Sequence, residues 1–198
     1  MSRAASGILR VLQEARACGV CAKHLPLGPK PLLAAHPDSR ILIIGQAPGQ
    51  ATHLKGIPWS DRSGDTLRRW LDTSMEDFYN PRHIALLPMG FCYPGTGKSG
   101  DFEPRPECAP LWHPKILPQL KQLRLTIYLG RFALEHYFGE RFPNLTAGVT
   151  AFKDLLPKQL ILPHPSPRNG PWLNQNPWFE KSLLPHLRDR VQQALRNT

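Results

Sequence analysis

The sequence predicts an α/β fold with three layers, in which helices cover both faces of a central four-stranded parallel sheet. Four short apolar runs, each rich in Leu or β-branched residues, lack polar alternation, as is typical of strands buried on both faces. Helical patterns lie between the runs, and strands that alternate with helices indicate parallel pairing. The predicted strands span residues 40–44, 83–88, 124–129 and 159–163.

Helices are predicted where apolar residues recur with the helical period. Residues 180–197 carry one long apolar stripe, residues 64–73 carry a shorter one, and residues 131–138 follow the third strand. A short helix is also expected just before Cys18. Three prolines spaced four residues apart interrupt residues 107–123, and because proline lacks the backbone donor of a helix interior, we expect a broken helix there.

Composition limits the class of protein. The 198 residues are 41% hydrophobic and 20% charged, which is ordinary globular composition and argues against a disordered chain. The 22 prolines are about twice the usual share, which favours many short elements joined by rigid turns and argues against a helical bundle. Since we find no repeat and no linker, the chain, residues 1–198, is interpreted as a single domain.

The charge balance suggests a partner. Lys and Arg number 25 against 15 Asp and Glu, a formal net charge of +10. Such a surplus is common in small domains that bind polyanions, although a basic surface also serves solubility. No run of 18 apolar residues exists, and the N-terminus has no apolar core for a signal peptide. We therefore expect a cytoplasmic protein without membrane contact, in which the cysteines are reduced.

The four cysteines are candidate metal ligands. Cys18 and Cys21 form a CxxC pair, while Cys92 and Cys108 lie far along the chain. This set fits a four-thiolate site, with buried free thiols as the alternative. Zinc is one candidate metal, but a zinc ribbon would show a second CxxC pair. The 15 residues between Cys92 and Cys108 suit a cluster held between distant loops.

Two loops at the carboxyl ends of predicted strands are candidates for a ligand site, because parallel α/β sheets bind ligands at this edge. Residues 45–49 (GQAPG) follow the first strand, and residues 164–169 (HPSPRN) follow the fourth. Gly and Pro make both turns rigid, so each holds its polar groups at fixed positions. His164 is then either a functional side chain or a structural one, as most single histidines are.

A third polar segment, residues 59–65 (WSDRSGD), lies at a predicted helix start. Asp65 is explained as a first-turn carboxylate that the helix dipole favours, whereas Asp61 lies earlier, in the loop, and is freer to act on a substrate. Trp59 is either a core residue or an exposed aromatic that stacks on a nucleic-acid base.

Together these segments resemble the uracil-DNA glycosylase superfamily, specifically its iron–sulfur branches. The resemblance rests on residues 45–49, 56–59 (GIPW) and 164–167 (HPSP) and on the four cysteines, which occur in the family's order and with its 15-residue gap. It implies a four-stranded parallel sheet and a [4Fe–4S] cluster, for which zinc is the alternative. It also implies a monofunctional DNA glycosylase of base excision repair, which hydrolyses the N-glycosidic bond of uracil or another deaminated base flipped out of single- or double-stranded DNA. We expect a monomer.

The resemblance implies roles for individual residues. Trp59 would stack on the base, the backbone amides of Gln46 and Ala47 would bind it, and Gly49 would leave space beside it. His164 would donate a hydrogen bond to the leaving base as negative charge develops there.

The sequence departs from the family pattern at the carboxylate. Gln46 stands where one iron–sulfur branch carries Glu, and Ala47 stands where the classical branch of the family carries its catalytic Asp. The segment around Asp61 resembles the second iron–sulfur branch, which implies that Asp61 orients the water and stabilises the cationic sugar. Residues 87–89 (LPM) lack the Asn with which relatives read uracil, so Asn169 is an additional candidate for base recognition.

DNA contacts are expected in the loop after His164, which relatives push into the minor groove. Arg168, Gly170 and Trp172 are the candidates, with a surface loop and one buried Trp as the alternative.

Two other functions stay open. One is a damage-binding protein of the same fold without catalysis, which the absent Glu and Asn permit. The other is an enzyme that acts on nucleotides or nucleosides.

Overall fold

The sheet forms where the apolar runs predict it. The computed structural model describes residues 3–98 and 100–196. Strands β2, β1, β5 and β6, in that order, form one sheet, and every neighbouring pair is parallel. The predicted four-stranded parallel sheet is therefore confirmed. The strands of the described residues are β1 (Ile41–Ile44), β2 (Ile84–Leu86), β3 (Thr96–Gly97), β4 (Gly100–Asp101), β5 (Leu125–Leu129) and β6 (Gln159–Leu162).

Burial explains why the runs show no polar alternation. Every residue of β1 and β2 is buried, and so is all but one residue in each of β5 and β6. Strand β1 lies between two neighbours, with Ile41 paired to Ile84 on one side and to Leu125 on the other. A strand that is covered on both faces needs apolar residues at consecutive positions. These side chains join those of the flanking helices in one continuous core.

Helices flank the sheet and complete the three-layer α/β/α arrangement. The last helix, α10, packs on α3, β1 and β5, while α6 packs on β5 and α7 on β6. None of the helices in the described ranges has the length and hydrophobicity that crossing a bilayer requires. The helices are α1 (Arg3–Arg16), α2 (Gln50–Lys55), α3 (Arg62–Leu71), α4 (Met75–Tyr79), α5 (Cys108–Ile116), α6 (Arg131–Phe138), α7 (Leu145–Thr150), α8 (Phe152–Leu155), α9 (Gly170–Gln175) and α10 (Leu184–Leu195).

The predicted helices differ from the observed ones mainly at their ends. Helix α6 begins and ends as predicted, and α3 begins two residues early because Asp61 caps it. The last helix opens with a π-helical turn, Phe179–Leu183, before α10, and its predicted end at Asn197 lies outside the described residues. The proline-rich segment is broken as expected, since α5 ends at Ile116 and a 3₁₀ turn follows.

A short antiparallel hairpin, β3 and β4, was not predicted from the sequence. It pairs Thr96 with Asp101 and Gly97 with Gly100. Strands of two residues are too short to show polar alternation, so this glycine-rich segment has the composition of a loop. Gly100 has a φ of +127°, which glycine tolerates and side-chain-bearing residues rarely adopt.

Candidate functional site

A cleft of about 530 Å³ opens at the carboxyl ends of the strands. The loops after β1, β2, β5 and β6 form its walls together with the start of α3 and the β3–β4 hairpin. From β1 the chain continues to β2 on one side of the sheet, and it then crosses over to β5 on the other side of β1. Parallel α/β folds bind ligands at the position in the sheet where the strand order reverses in this way. The predicted site residues that line the cleft are Gln46, Ala47, Gly49, Trp59, Asp61, His164, Arg168 and Asn169.

The GQAPG loop is tied to the segment after β2 by two backbone hydrogen bonds. The Met89 amide donates to the Gly45 carbonyl at 2.8 Å, and the Gly90 amide donates to the Gln46 carbonyl at 2.9 Å. A Cβ atom at position 45 would lie 2.7 Å from Cζ2 of Trp59. Glycine is therefore needed here so that the indole can lie against the loop.

Trp59 has a strained backbone, with φ of +56° in the left-handed region. Its carbonyl oxygen accepts hydrogen bonds from Arg68 Nη1 at 3.1 Å and from the Tyr79 hydroxyl at 3.2 Å. A Cβ atom on Gly64 would come within 1.8 Å of the same oxygen. The indole stacks on the imidazole of His164, with centroids 5.6 Å apart and planes 29° apart. Strain that surrounding contacts hold in place is typical of a functional site.

His164 follows β6 and is held from two sides. Its ring lies on Trp59, and its carbonyl oxygen accepts a hydrogen bond from Asn169 Nδ2 at 2.6 Å. Burial lowers the pKa of His164 to about 4, and the negative charges of Asp61 and Asp101 offset only part of this effect. The imidazole is therefore neutral at neutral pH, with one nitrogen that donates and one that accepts.

The sequence predicts that Asp61 lies free in the loop before the helix, but the structure places it at the very start of α3. It is the N-cap residue of α3, and its Oδ1 accepts a hydrogen bond from the Gly64 amide at 2.9 Å. Asp65, in the first turn, forms an ion pair with Arg68 at 2.5 Å. Asp61 nevertheless lines the cleft, because the start of α3 forms part of its wall. The carboxylate predicted to act on a substrate therefore has one oxygen already bound.

Sequence reasoning missed a second cleft carboxylate, Asp101. It ends β4, and its Oδ1 accepts a hydrogen bond from the Thr96 hydroxyl at 2.5 Å. The Thr96 hydroxyl is in turn 2.6 Å from that of Tyr93. The only signal in the sequence is the glycine-rich segment 95–100, whose turn brings Thr96 opposite Asp101.

Of the three predicted DNA-contact residues in the loop after His164, only one lines the cleft. Arg168 lines it, and the guanidinium packs on Gly100, where a Cβ atom would lie 1.7 Å from Nη1. Gly170 and Trp172 do not line it. The Trp172 indole donates to Thr146 Oγ1 at 2.9 Å and packs edge-on against two other aromatic rings. Trp172 thus anchors α9 to the body of the protein, and its side chain is half-buried rather than fully buried.

The four predicted metal ligands lie around a second, smaller cavity. Cys18 and Cys21 come from the segment after α1, Cys92 follows β2, and Cys108 begins α5. All four thiols are free. The Phe91 amide donates to Cys108 Sγ at 3.3 Å, and hydrogen bonds to sulfur are typical of iron–sulfur sites. This cavity shares no lining residue with the cleft.

The thiols are hard to ionise in this environment. Burial, together with the charges of the neighbouring cysteines, raises the pKa of Cys108 to about 12 and that of Cys92 to about 11. Within the described residues, no group of three or more His, Cys, Asp or Glu side chains is arranged to hold a single metal ion. Four sulfur atoms around one cavity nevertheless form a donor set that iron–sulfur clusters and zinc both accept.

Comparison with models of protein families gives a match over most of the chain. The model of the uracil DNA glycosylase superfamily matches residues 34–188. The matched segment contains the whole parallel sheet, the predicted cleft residues from Gln46 to Asn169, and both Cys92 and Cys108. The CxxC pair lies before it.

Proposed function

The chain belongs to the uracil DNA glycosylase superfamily, whose members are generally DNA glycosylases. On this premise we propose that it hydrolyses the N-glycosidic bond that joins uracil, or another deaminated base, to the sugar of DNA. The observation that carries the proposal is the stacked pair of Trp59 and neutral His164, in a cleft that Asp61 and Asp101 also line. An aromatic face, a neutral donor and a carboxylate are the groups that this reaction needs.

The cleft suits a flipped nucleotide in its size and its polar groups. Its volume of about 530 Å³ is in the range of small-ligand pockets. Trp59 offers an aromatic face, the amides of Gln46 and Ala47 offer donors to a base edge, and Gly49 leaves room beside it. Arg168 is the proposed contact to the DNA backbone, and the net charge of +10 favours a polyanion.

His164 is proposed to stabilise the leaving base. When the C1′–N bond breaks, its electron pair moves to the base, and negative charge develops on the base oxygens. A fixed N–H donor binds this charge more strongly in the transition state than in the ground state, which lowers the barrier. Because burial lowers the pKa of His164 to about 4, the donor at neutral pH is the neutral imidazole.

Positive charge develops on the sugar at the same time. Asp61 is the carboxylate proposed to stabilise this charge. It lines the cleft, and its negative charge acts on His164. The hydrogen bond from the Gly64 amide fixes one carboxylate oxygen and so orients the other.

The four cysteines are proposed to hold a [4Fe–4S] cluster, with zinc as the alternative that metal analysis distinguishes. A cluster bound by Cys18, Cys21, Cys92 and Cys108 would cross-link the end of α1, the loop after β2 and the start of α5. Since its cavity and the cleft share no lining residue, its contribution is to the structure rather than to the chemistry of the cleft.

A second candidate function is recognition of damaged DNA without base release. The first loop favours it, because Gln46 and Ala47 carry no carboxylate and the carboxylate of Asp61 already caps α3. In that case the cleft would bind a flipped base and leave the glycosidic bond intact.

The test uses single- and double-stranded oligonucleotides that contain one uracil, hypoxanthine or xanthine, followed by alkaline cleavage at abasic sites. The glycosylase proposal predicts cleavage of at least one substrate by the wild type and a strongly reduced yield with His164→Ala. If the wild type binds damaged DNA selectively but cleaves none of the substrates, recognition of damaged DNA replaces the glycosylase proposal. Activity on free nucleosides or nucleotides alone would reject both DNA functions.

A further inference from the structure

Three carboxylates line the cleft, and they differ in their hydrogen-bond and ion-pair partners. Asp61 Oδ1 accepts a backbone amide of α3, and Glu103 forms an ion pair with Arg131 at 2.5 Å. Asp101 Oδ1 accepts only a neutral hydroxyl, that of Thr96. Within the described part of the chain, Asp101 Oδ2 makes no hydrogen bond. Asp61 Oδ2 likewise makes no hydrogen bond within the described residues, but the Asp61 carboxylate caps α3. Asp101 is therefore the cleft carboxylate that neither a helix cap nor an ion pair holds.

The free oxygen of Asp101 faces the loop that follows β1. A Cβ atom built on Gly49 would lie 3.2 Å from Oδ2, which is close contact. The negative charge of Asp101 also acts on His164, since it raises the pKa that burial lowers. Asp101, the GQAPG loop and the imidazole are thus parts of one site.

A chain of hydroxyl groups fixes the orientation of this carboxylate. The Tyr93 and Thr96 hydroxyls are 2.6 Å apart, and the Thr96 hydroxyl donates to Asp101 Oδ1 at 2.5 Å. Tyr93 is buried, so the chain starts from a fixed point. An exposed side chain at a hairpin end would otherwise rotate among several conformers. The hydrogen bond to Oδ1 holds the carboxylate with Oδ2 next to Gly49.

We propose that Asp101 holds the attacking water and accepts its proton, with Thr96 and Tyr93 as positioning residues. This inference rests on the proposed glycosylase function. The water oxygen bonds to C1′ as the C1′–N bond breaks, and the electron pair of that bond leaves with the base. The proton of the water passes to Asp101 Oδ2 and then to the departing base. Asp61 stabilises the cationic sugar and caps α3.

The experiment compares single-turnover base release and DNA affinity in matched variants. Asp101→Asn should lower the rate by about 10²-fold to 10⁴-fold, the usual contribution of a general base, while the Kd for DNA stays within about threefold. Glu103→Gln removes the same charge from the same cleft and should keep the rate within about threefold. Thermal unfolding of both variants checks that the fold is intact.

The positioning residues have their own controls. Thr96→Val should lower the rate by about tenfold without weakening DNA binding, and Thr96→Ser, which restores the hydroxyl, should recover it. Thr96→Val should have no further effect in the Asp101→Asn background, because it acts through Asp101. If Thr96 had only a structural role, Thr96→Val would reduce stability, and its effect would be the same in the wild type and in the Asp101→Asn variant.

Two results would overturn the inference. One is an active wild type in which Asp101→Asn keeps its rate within about threefold. The other is a larger loss with Asp61→Asn than with Asp101→Asn, since Asn still caps a helix and this variant removes only the charge. A wild type that releases no base from any of the three substrates would reject the proposed function itself, which is a different outcome.

Discussion

At the residue scale, the contact between Trp59 and His164 organises the cleft. Glycine at positions 45 and 64 leaves the space that the indole and the carbonyl of Trp59 occupy. The buried imidazole stays neutral because water cannot solvate its charged form. The two glycines thus allow the position of Trp59, and burial keeps the proposed donor neutral.

Gly45→Ala should disturb this contact directly. Its new Cβ atom would lie 2.7 Å from Cζ2 of Trp59, so the indole must move from the position in which it stacks on His164. We expect a loss of about 1–3 kcal/mol in the free energy of unfolding, as is typical of overpacking, together with reduced base release. Urea unfolding measures the first effect. Gly19→Ala is the control, because a Cβ there meets no atom within 4 Å, and equal stability of the two variants would contradict the prediction.

His164→Ala should lower single-turnover base release by about 10²-fold to 10³-fold, because it removes a donor that acts mainly in the transition state. DNA affinity should change little, since the same donor contributes less in the ground state. His164→Gln, which keeps an N–H donor, should lose less activity than His164→Ala. Parallel measurements of rate and Kd check this, and an effect confined to Kd would mean that His164 only binds the substrate.

At the element scale, the start of helix α3 and the β3–β4 hairpin each contribute a carboxylate to the cleft. The cap of α3 follows from local chemistry, since a short acidic side chain before the first turn accepts an amide hydrogen that the helix leaves unpaired. The hairpin depends on Gly100, whose backbone also leaves room for the Arg168 guanidinium. Arg168 therefore joins the loop after β6 to the hairpin that carries Asp101.

Two substitutions at Asp61 separate capping from charge. Asp61→Ala should lower the free energy of unfolding by about 1 kcal/mol through loss of the cap, whereas Asp61→Ser keeps a capping oxygen and should be near wild type in stability. Both remove the carboxylate, so both should lose its electrostatic contribution to base release. Chemical denaturation monitors stability, and equal destabilisation by the two substitutions would show that the cap is not what Asp61 contributes.

At the scale of the whole molecule, buried histidines couple its stability to pH. His113 in α5 is within hydrogen-bond distance of the Tyr137 hydroxyl and, at 3.1 Å, of the Pro88 carbonyl, so it joins α5 to α6 and to the loop after β2. Burial lowers the pKa of His113 to about 4. The unfolded chain binds this proton already near pH 6.5, so protonation favours unfolding between about pH 6.5 and pH 4.

We therefore expect the free energy of unfolding to decrease as the pH falls through this window and to be nearly constant from there up to about pH 8. His113 alone should account for about 2 kcal/mol between pH 7 and pH 5. His113→Gln keeps a donor for the Pro88 carbonyl and does not titrate, so its unfolding free energy should depend less on pH. Urea unfolding at the two pH values measures the difference, and identical pH dependence in the two proteins would refute the assignment.

The cysteine cavity gives a second prediction at this scale. Protein purified without oxygen should contain iron and show broad visible absorbance, because four thiolates match a [4Fe–4S] cluster. Cys92→Ser and Cys108→Ser should each reduce the iron content and lower thermal stability, since the cross-link between α1 and α5 is lost. If the purified protein instead contains stoichiometric zinc and no iron, the site is a zinc site and not an iron–sulfur cluster.

The fold could be predicted from the sequence to a large extent because its signals are local. The runs 40–44 and 124–129 are short, mostly apolar and without polar alternation, as is typical of strands covered on both faces. The loops at residues 45–49 and 164–169 could be placed at one edge of the sheet because parallel strands all end there. The Asp61 cap was missed, since we placed the residue in the loop before the helix and the helix begins directly after it.

By itself, the sequence determined the parallel sheet, the motif loops at its carboxyl edge and the four cysteines as one set, because each depends on residue type and order along the chain. Only the tertiary structure decided that Trp59 stacks on His164 and that Asp101 faces Gly49. Those contacts join residues far apart in sequence, through a left-handed Trp backbone and a hairpin of two-residue strands. Neither feature has a periodic pattern, so the positions of these side chains follow from packing rather than from local preference.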